Sequence, residues 1–299
     1  MTTSVRTRTA LAVLGAALAA LSGCAGGAER TPPSASPASS VPSLSSASPT
    51  TPLSPHAPAR PQAAVQGPPT IAPGPGGLTP VFKRGTPAAG KTVALTFDAD
   101  MTADQGPRAA NGERFDNPEL IALLRRLDVP ATVFMTGRWA EEYPAQAESI
   151  GTDPLFEIAN HSYSHYAFTA DCYGLPVIGR ARMTADVQRA FAAFRTAGAR
   201  NVVPYFRFPG GCYDDAALRA LAPEKVTAVQ WDVVSGDAFA TDADAVAEQV
   251  LDGVKPGSLV VLHCTRSAAP VTEEAVRRIV PELRGRGYRL VKVSELMRR

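Results

Sequence analysis

From about residue 79 onward, short apolar runs alternate with stretches whose apolar positions recur every three or four residues. The runs read as strands at 92–97, 131–136, 156–159, 205–208, 227–231, 258–262 and 289–291. The stretches between them read as helices at 118–127, 140–149, 184–197, 214–221, 242–251 and 272–286. A short continuous apolar run fits a strand buried on both faces, and a 3.6-residue period fits a one-sided helix. Strands alternating with helices predict parallel strands joined by crossovers. Seven such units point to a barrel rather than an open sheet, although periodicity alone does not separate the two. The expected fold class is therefore α/β, with one domain over 79–299 large enough for a real core.

The first 78 residues follow other rules. Arg6 and Arg8 precede an apolar run over 10–21, which ends in Leu21-Ser22-Gly23-Cys24. The run falls short of the roughly 20 apolar residues that span a bilayer, so 1–23 reads as a signal peptide. Its ending resembles a bacterial lipobox, which implies cleavage before Cys24 and lipid on that thiol; an ordinary secretory signal with an incidental cysteine is the alternative. No paired arginines precede the run, which favours general secretion over the twin-arginine route. Residues 24–78 are mostly Ala, Pro, Ser, Thr and Gly. They bury too little apolar surface to offset their ordering entropy and are expected to be a disordered linker reaching about 40 Å. The expected location is extracytoplasmic, with the membrane touched through the lipid anchor only. A net charge of +2 with no basic stripe excludes nucleic acid as a partner, and nothing in the pattern sets an oligomeric state.

Polar residues at the strand ends carry the chemistry. Of four histidines, His56 lies in the linker; His161 and His165 stand four apart in Asn160-His161-Ser162-Tyr163-Ser164-His165, and His263 ends an apolar strand. Two imidazoles so spaced meet one ion if the segment makes a helical turn, and two histidines with a carboxylate are a common ligand set for a catalytic metal; two ordinary loop histidines are the alternative. Thr96-Phe97-Asp98-Ala99-Asp100 brings a strand out of the core onto two carboxylates, one suited to general base and one to metal, or else to a turn cap. Phe206-Arg207-Phe208-Pro209-Gly210-Gly211 sets a cation among apolar residues, where it needs a paired carboxylate. Its glycines let backbone N–H groups approach an oxyanion. A lone histidine such as His263 is as readily a packed core residue, but Asp237 is placed to hydrogen-bond it, raise its pKa and keep it a competent acid. Asp98, His161, Arg207 and His263 all fall at the C-terminal ends of strands, the face where active sites gather in parallel α/β folds.

In this order, from Thr-Phe-Asp through His-Ser-x-x-His and Arg-x-Pro to the strand ending in His263, the motifs over about 90–296 resemble the polysaccharide deacetylases, the NodB-homology domains of carbohydrate esterase family 4. The resemblance implies a distorted (β/α)7 barrel and removal of acetyl groups from sugars with a divalent metal, zinc above all and cobalt or nickel as alternatives. It implies Asp98 as general base oriented by Arg207, His161 and His165 as metal ligands, a Gly210 N–H for the oxyanion, and His263 as general acid tuned by Asp237. The family's second Asp, a metal ligand, is Ala99 here. Asp100 is expected to replace it, with Ala99 past the strand end and the chain already turned. Asp98 as ligand beside another base is the next alternative, and a cysteine ligand the third. The family's Trp after the tuning Asp is Ala238, a wall either filled by Phe239 or left open. Val261 and Cys264 replace a usual Leu and a frequent Asp.

Cys172, Cys212 and Cys264 each follow a motif and belong near the barrel mouth. In an oxidising compartment Cys172 with Cys212 is the expected disulfide, while Cys264 stays open as inert, paired or near the metal. The leading function is a metal-dependent N-deacetylase whose partner is acetylated cell-wall or chitin-like polysaccharide. An O-acetyl esterase of xylan type and an inactive glycan-binding lipoprotein are the alternatives.

Overall fold

The computed structural model describes residues 67–87 and 90–298; the expected signal peptide, Cys24 and most of the linker lie outside them. In chain order the elements are β1 (Val81–Phe82), β2 (Thr92–Ala99), α1 (Gly106–Ala110), α2 (Pro118–Arg126), β3 (Ala131–Met135), α3 (Gly137–Glu142), α4 (Pro144–Gly151), β4 (Phe156–Asn160) and α5 (Met183–Thr196). Then follow β5 (Val202–Phe206), α6 (Asp215–Leu221), β6 (Thr227–Val229), β7 (Val233–Val234), α7 (Ala243–Gly253), β8 (Ser258–His263), α8 (Thr272–Gly285), β9 (Arg289–Leu290) and α9 (Val293–Met297).

The strands hydrogen-bond in the order β1-β6-β5-β4-β3-β2-β8-β7, with β9 also on β2, and the pairings are parallel. The sheet curls into a distorted (β/α)7 barrel with β1 and β7 as its edges. Every residue of β2 is buried, as a strand covered on both faces requires. Its alternation divides two cores. Val93, Leu95, Phe97 and Ala99 face the outer layer with Leu120, Leu124, Val276 and Ile279 of α2 and α8, whereas Ala94 packs inside with Phe134, Ala159, Tyr205, Val229 and Leu259. Because all strands run the same way, their C-terminal ends share one rim, and the barrel's filled interior makes that rim a floor.

The helices start where their sequences supply caps. The side chains of Asn117, Thr136, Asp214 and Asp242 accept backbone N–H groups at the starts of α2, α3, α6 and α7, filling donors that a helix start leaves open.

The structure departs from the sequence reading at four places. The helix expected at 140–149 is two, because Pro144 lacks an N–H and drives Tyr143 out of helical geometry to φ −122°, ψ 57°. The strand expected at 205–208 begins earlier, at Val202; it tolerates Pro204 through a bulge where pairing with β4 jumps from Ile158–Val202 to Asn160–Phe206. β2 runs through Ala99 instead of ending at Phe97. Finally, residues 67–78, expected in the linker, contact the domain: Tyr205 donates to the Pro69 carbonyl at 2.9 Å and Ile71 N–H donates to Thr227 Oγ1 at 3.2 Å.

Helix α3 reaches α5 closely enough that a Cβ on Gly137 would lie 2.7 Å from the Ala190 Cα and 2.6 Å from the Tyr163 ring. Replacing Gly137 by Ala is therefore expected to lower unfolding stability by about 1–3 kcal/mol, measured by denaturant titration.

Candidate active site

Arg207 forms the floor of the rim. It is fully buried, and its guanidinium donates from Nη1 to Asp98 Oδ1 at 2.5 Å, from Nη2 to Thr96 Oγ1 at 2.9 Å and from Nε to the Val229 carbonyl at 3.2 Å. Thr96 in turn donates to the Val260 carbonyl. The faces of Phe134 and Trp231 lie 3.8 and 5.3 Å from the guanidinium carbon, so the cation is paired, bonded and stacked, as a buried charge needs.

The histidine segment follows β4. It brings the two rings together without a helical turn: Ser162 and His165 take left-handed backbone at φ 66° and 55°. Their neighbours hold them there. Asn160 Oδ1 accepts the Ser162 N–H, Ser162 Oγ accepts the His165 N–H, and Asp186 Oδ2 accepts the N–H groups of Tyr163 and Ser164. The two imidazoles stand 4.9 Å apart between ring centres. His161 Nδ1 lies 2.9 Å from the Arg207 carbonyl, which accepts its proton and leaves Nε2 as the bare nitrogen. That nitrogen is 3.7 Å from Asp98 Oδ2, and His165 Nε2 is 3.6 Å from Asp100 Oδ2.

Asp100 and Asp98 come together by a route different from the one expected. The strand continues through Ala99, whose side chain lies in the outer core, and a period of two returns residue 100 to the side of residue 98. Thr265 then fixes Asp100: its hydroxyl accepts the Asp100 N–H at 3.1 Å and hydrogen-bonds the carboxylate. Burial works against the Asp100 carboxylate, but His165, His263, Thr265 and His161 together hold its pKa below the ordinary value.

His263 closes the other side. Its Nδ1 is 2.7 Å from Asp237 Oδ1 and its backbone N–H donates to Oδ2 at 2.7 Å, while Ser235 and Thr272 donate to the same carboxylate. Burial alone would lower the His263 pKa; the Asp237 bond and charge, with Asp100 and Asp98, override it and push it up to about 10. The opposite holds across the cleft. Burial lowers His161, and burial with the neighbouring His161 and His263 lowers His165 to about 4 against the pull of Asp100.

Gly210, with φ 65°, and Gly211, with φ 75°, leave no room for a side chain: a Cβ on the first would meet Cys172 Sγ at 2.6 Å and one on the second would meet Trp231 at 2.5 Å. Cys172 and Cys212 form the expected disulfide. Cys264 is free and buried in the outer core, its thiol pushed up to about 12 by burial first and by Asp116 and Asp100 next. Neither the bridge nor this thiol supplies a ligating thiolate. Phe239 does not fill the wall beside Ala238, since it is largely exposed.

The donors fit a divalent metal. Two neutral imidazoles, one with its tautomer fixed by a carbonyl, face carboxylates in the manner of metal-ligating histidines. Among the described residues no three such side chains are yet closed to binding distance. Ligands on a tetrahedral ion stand roughly 3.4 Å apart, and the His165–Asp100 pair at 3.6 Å is already near that spacing. The sequence reading missed the supports Thr265, Asp186, Ser235 and Thr272; Ser235, two residues before Asp237, and Thr265, two after His263, lay near enough to a motif to be noticed.

A curled parallel barrel with a histidine–carboxylate cleft on its C-terminal rim defines a class of hydrolase scaffold, and comparison with known proteins says which. Residues 85–229 match the family model described as polysaccharide deacetylase, the NodB-homology or family 4 carbohydrate esterase domain. It is 29% identical over 217 residues to a chitooligosaccharide deacetylase of Sinorhizobium fredii, covering 69% of this chain and 94% of that one. It is 27% identical over 211 residues to a peptidoglycan-N-acetylglucosamine deacetylase of Bacillus cereus, covering 70% and 89%. Among solved structures, a mutant of a Bacillus anthracis family 4 pseudoenzyme with restored activity superposes with a TM-score of 0.59 at 26% identity, covering 73% of this chain and 71% of that one.

The Asp237–His263 pair carries a pH signature. A folded pKa of about 10 above the ordinary 6.5 means that stabilisation is complete below about pH 6.5 and is lost as pH rises through about 10. NMR titration of the His263 ring should find it protonated well past pH 8, and Asp237→Asn should bring its midpoint down by more than two units and flatten the alkaline loss of stability.

Proposed function

We propose that the protein is an extracytoplasmic, metal-dependent deacetylase that hydrolyses the N-acetyl groups of cell-wall or chitin-like polysaccharide and is held at the membrane by lipid on Cys24. The observation that carries this reading is the contrast in partners across the cleft: His161 and His165 turn Nε2 toward Asp98 and Asp100 with His161 Nδ1 on a carbonyl, whereas His263 turns Nδ1 onto the Asp237 carboxylate, which favours its protonated form. A surface that only binds sugar needs neither. The names borne by the relatives from S. fredii and B. cereus support the N-acetyl substrate.

Asp100, His161 and His165 would hold the ion, zinc first and cobalt or nickel as alternatives. When bound, it supplies Lewis acidity to the acetyl carbonyl and makes water a better nucleophile. The protein's own groups do the rest. Arg207 occupies Asp98 Oδ1, which leaves Oδ2 at the histidine side to take a proton from the attacking water. The left-handed turn at Gly210 brings backbone close enough for its N–H to donate to the oxyanion. His263, loaded by Asp237, passes its proton to the departing nitrogen. A proton held this firmly goes only to a strongly basic acceptor, and a departing amine or alkoxide is one, so the same groups serve an O-acetyl esterase.

An inactive glycan binder is the second reading, favoured by Ala99 at the family's metal-ligand position. Asp100 opposes it, since Thr265 holds that carboxylate against His165.

The test is acetate release from acetylated chitooligosaccharides, peptidoglycan and acetylxylan, with and without chelator. Release from the N-acetylated substrates should vanish with chelator and return with zinc or cobalt. Asp98→Asn should lower kcat by about 10²–10⁴-fold and, because it leaves the buried Arg207 guanidinium without its counter-charge, should lower unfolding stability as well. Release that survives chelation overturns metal dependence; no release from any substrate with metal in excess overturns the deacetylase reading and makes the binding protein the one to pursue.

A further inference from the structure

Five large apolar side chains among the described residues are exposed, and the two aromatic ones, Tyr173 at 87% and Phe239 at 82%, stand furthest out. Both also hold left-handed backbone, at φ 50° and φ 60°. A bulky residue pays for that conformation, and a ring left in water recovers nothing by packing. Both costs at both rings point to a use outside the folded core.

Their positions say what the use is. The Tyr173 ring reaches within 3.3 Å of where a Cβ on Gly210 would sit. It follows Cys172, which is bonded to Cys212 directly after Gly211, so the disulfide ties the ring's backbone to the oxyanion turn. Phe239 lies two residues past Asp237, the carboxylate that holds His263, and its N–H is bonded to the Ala268 carbonyl at 2.6 Å. One ring thus stands beside the turn that receives the acetyl oxygen, and the other beyond the acid that protonates the leaving group. Their backbones are fixed and their faces are bare.

A pyranose ring presents C–H groups on its faces and hydroxyls around its edge, so it covers an aromatic face while its edge stays hydrated. We propose that Tyr173 and Phe239 are sugar-stacking platforms that bind the pyranose rings neighbouring the acetylated residue, selecting an extended glycan strand over a single sugar. This assignment rests on the deacetylase reading for the position of the acetylated sugar, but not for the binding itself.

The test uses Tyr173→Ala and Phe239→Ala, with Tyr173→Trp and Phe239→Tyr as variants that keep the stacking face. Because the rings are exposed, unfolding midpoints should match the parent protein. Binding of an N-acetylglucosamine pentamer is measured by calorimetry, and acetate release is measured on the pentamer and on the single sugar. Each alanine variant should raise Kd and KM for the pentamer by about three- to tenfold, leave kcat within twofold and leave the single sugar unaffected, while the aromatic variants retain parental values. Pentamer binding equal to the parent's in both alanine variants overturns the proposal, as does absence of glycan binding by the parent. Ring-dependent binding without acetate release would sink the deacetylase reading and leave the platforms standing; acetate release with ring-independent binding and KM does the reverse.

Discussion

Arg207 makes two bonds on which the cleft depends. Its guanidinium fixes one oxygen of Asp98, and its own carbonyl takes the Nδ1 proton of His161. One residue therefore sets the direction of the candidate base and the tautomer of a candidate ligand. It does so from complete burial, where removing Asp98 would strand a charge at a cost of about 3–5 kcal/mol. The barrel interior makes this arrangement affordable in structural terms: Phe134 and Trp231 offer ring faces, and Thr96 and Val229 offer the remaining acceptors.

Around that anchor the fold keeps like residues in unlike states. Three histidines share a small cleft, yet His161 and His165 lose their protons to burial while His263 keeps its own because Asp237 is bonded to it twice. The difference comes from hydrogen-bond partners more than from depth. Left-handed backbone recurs at the same rim, at Ser162, His165, Asp171, Tyr173, Gly210, Gly211 and Phe239. Each aims a side chain or a backbone amide in a direction that a helix or strand would not provide, and hydrogen bonds or the Cys172–Cys212 bridge hold several of them there.

Much of this was legible before any coordinates. Asp98, Arg207 and His263 each terminate an apolar run, and parallel strands must bring such ends to one rim. The disulfide was legible only in part: three cysteines follow rim motifs, and nothing in the pattern alone selects Cys172–Cys212 over a pair with Cys264. What was hidden depended on long-range contacts or on exact strand ends. Thr265 reaches Asp100 across 165 residues, and Asp186 holds the histidine segment from another element; neither lies in a pattern of its own. The strand end was misjudged by two residues at Phe97, which matters because strand parity decides where residue 99 points. Carried through Ala99, the alternation buries that residue in the outer core and returns Asp100 to the cleft. The helix at 140–149 was misread because its apolar spacing continues smoothly across Pro144, while the missing N–H does not allow the backbone to follow.

The claim on which the chemistry turns is that Asp100 takes the metal-ligand place that residue 99 leaves vacant. Calorimetric titration of zinc into the parent protein, Asp100→Ala and Ala99→Ser tests it most directly. The account predicts one tight site in the parent, retained with Ala99→Ser, and an affinity at least tenfold weaker with Asp100→Ala. Unchanged zinc binding after Asp100→Ala would contradict it and move the carboxylate ligand to Asp98.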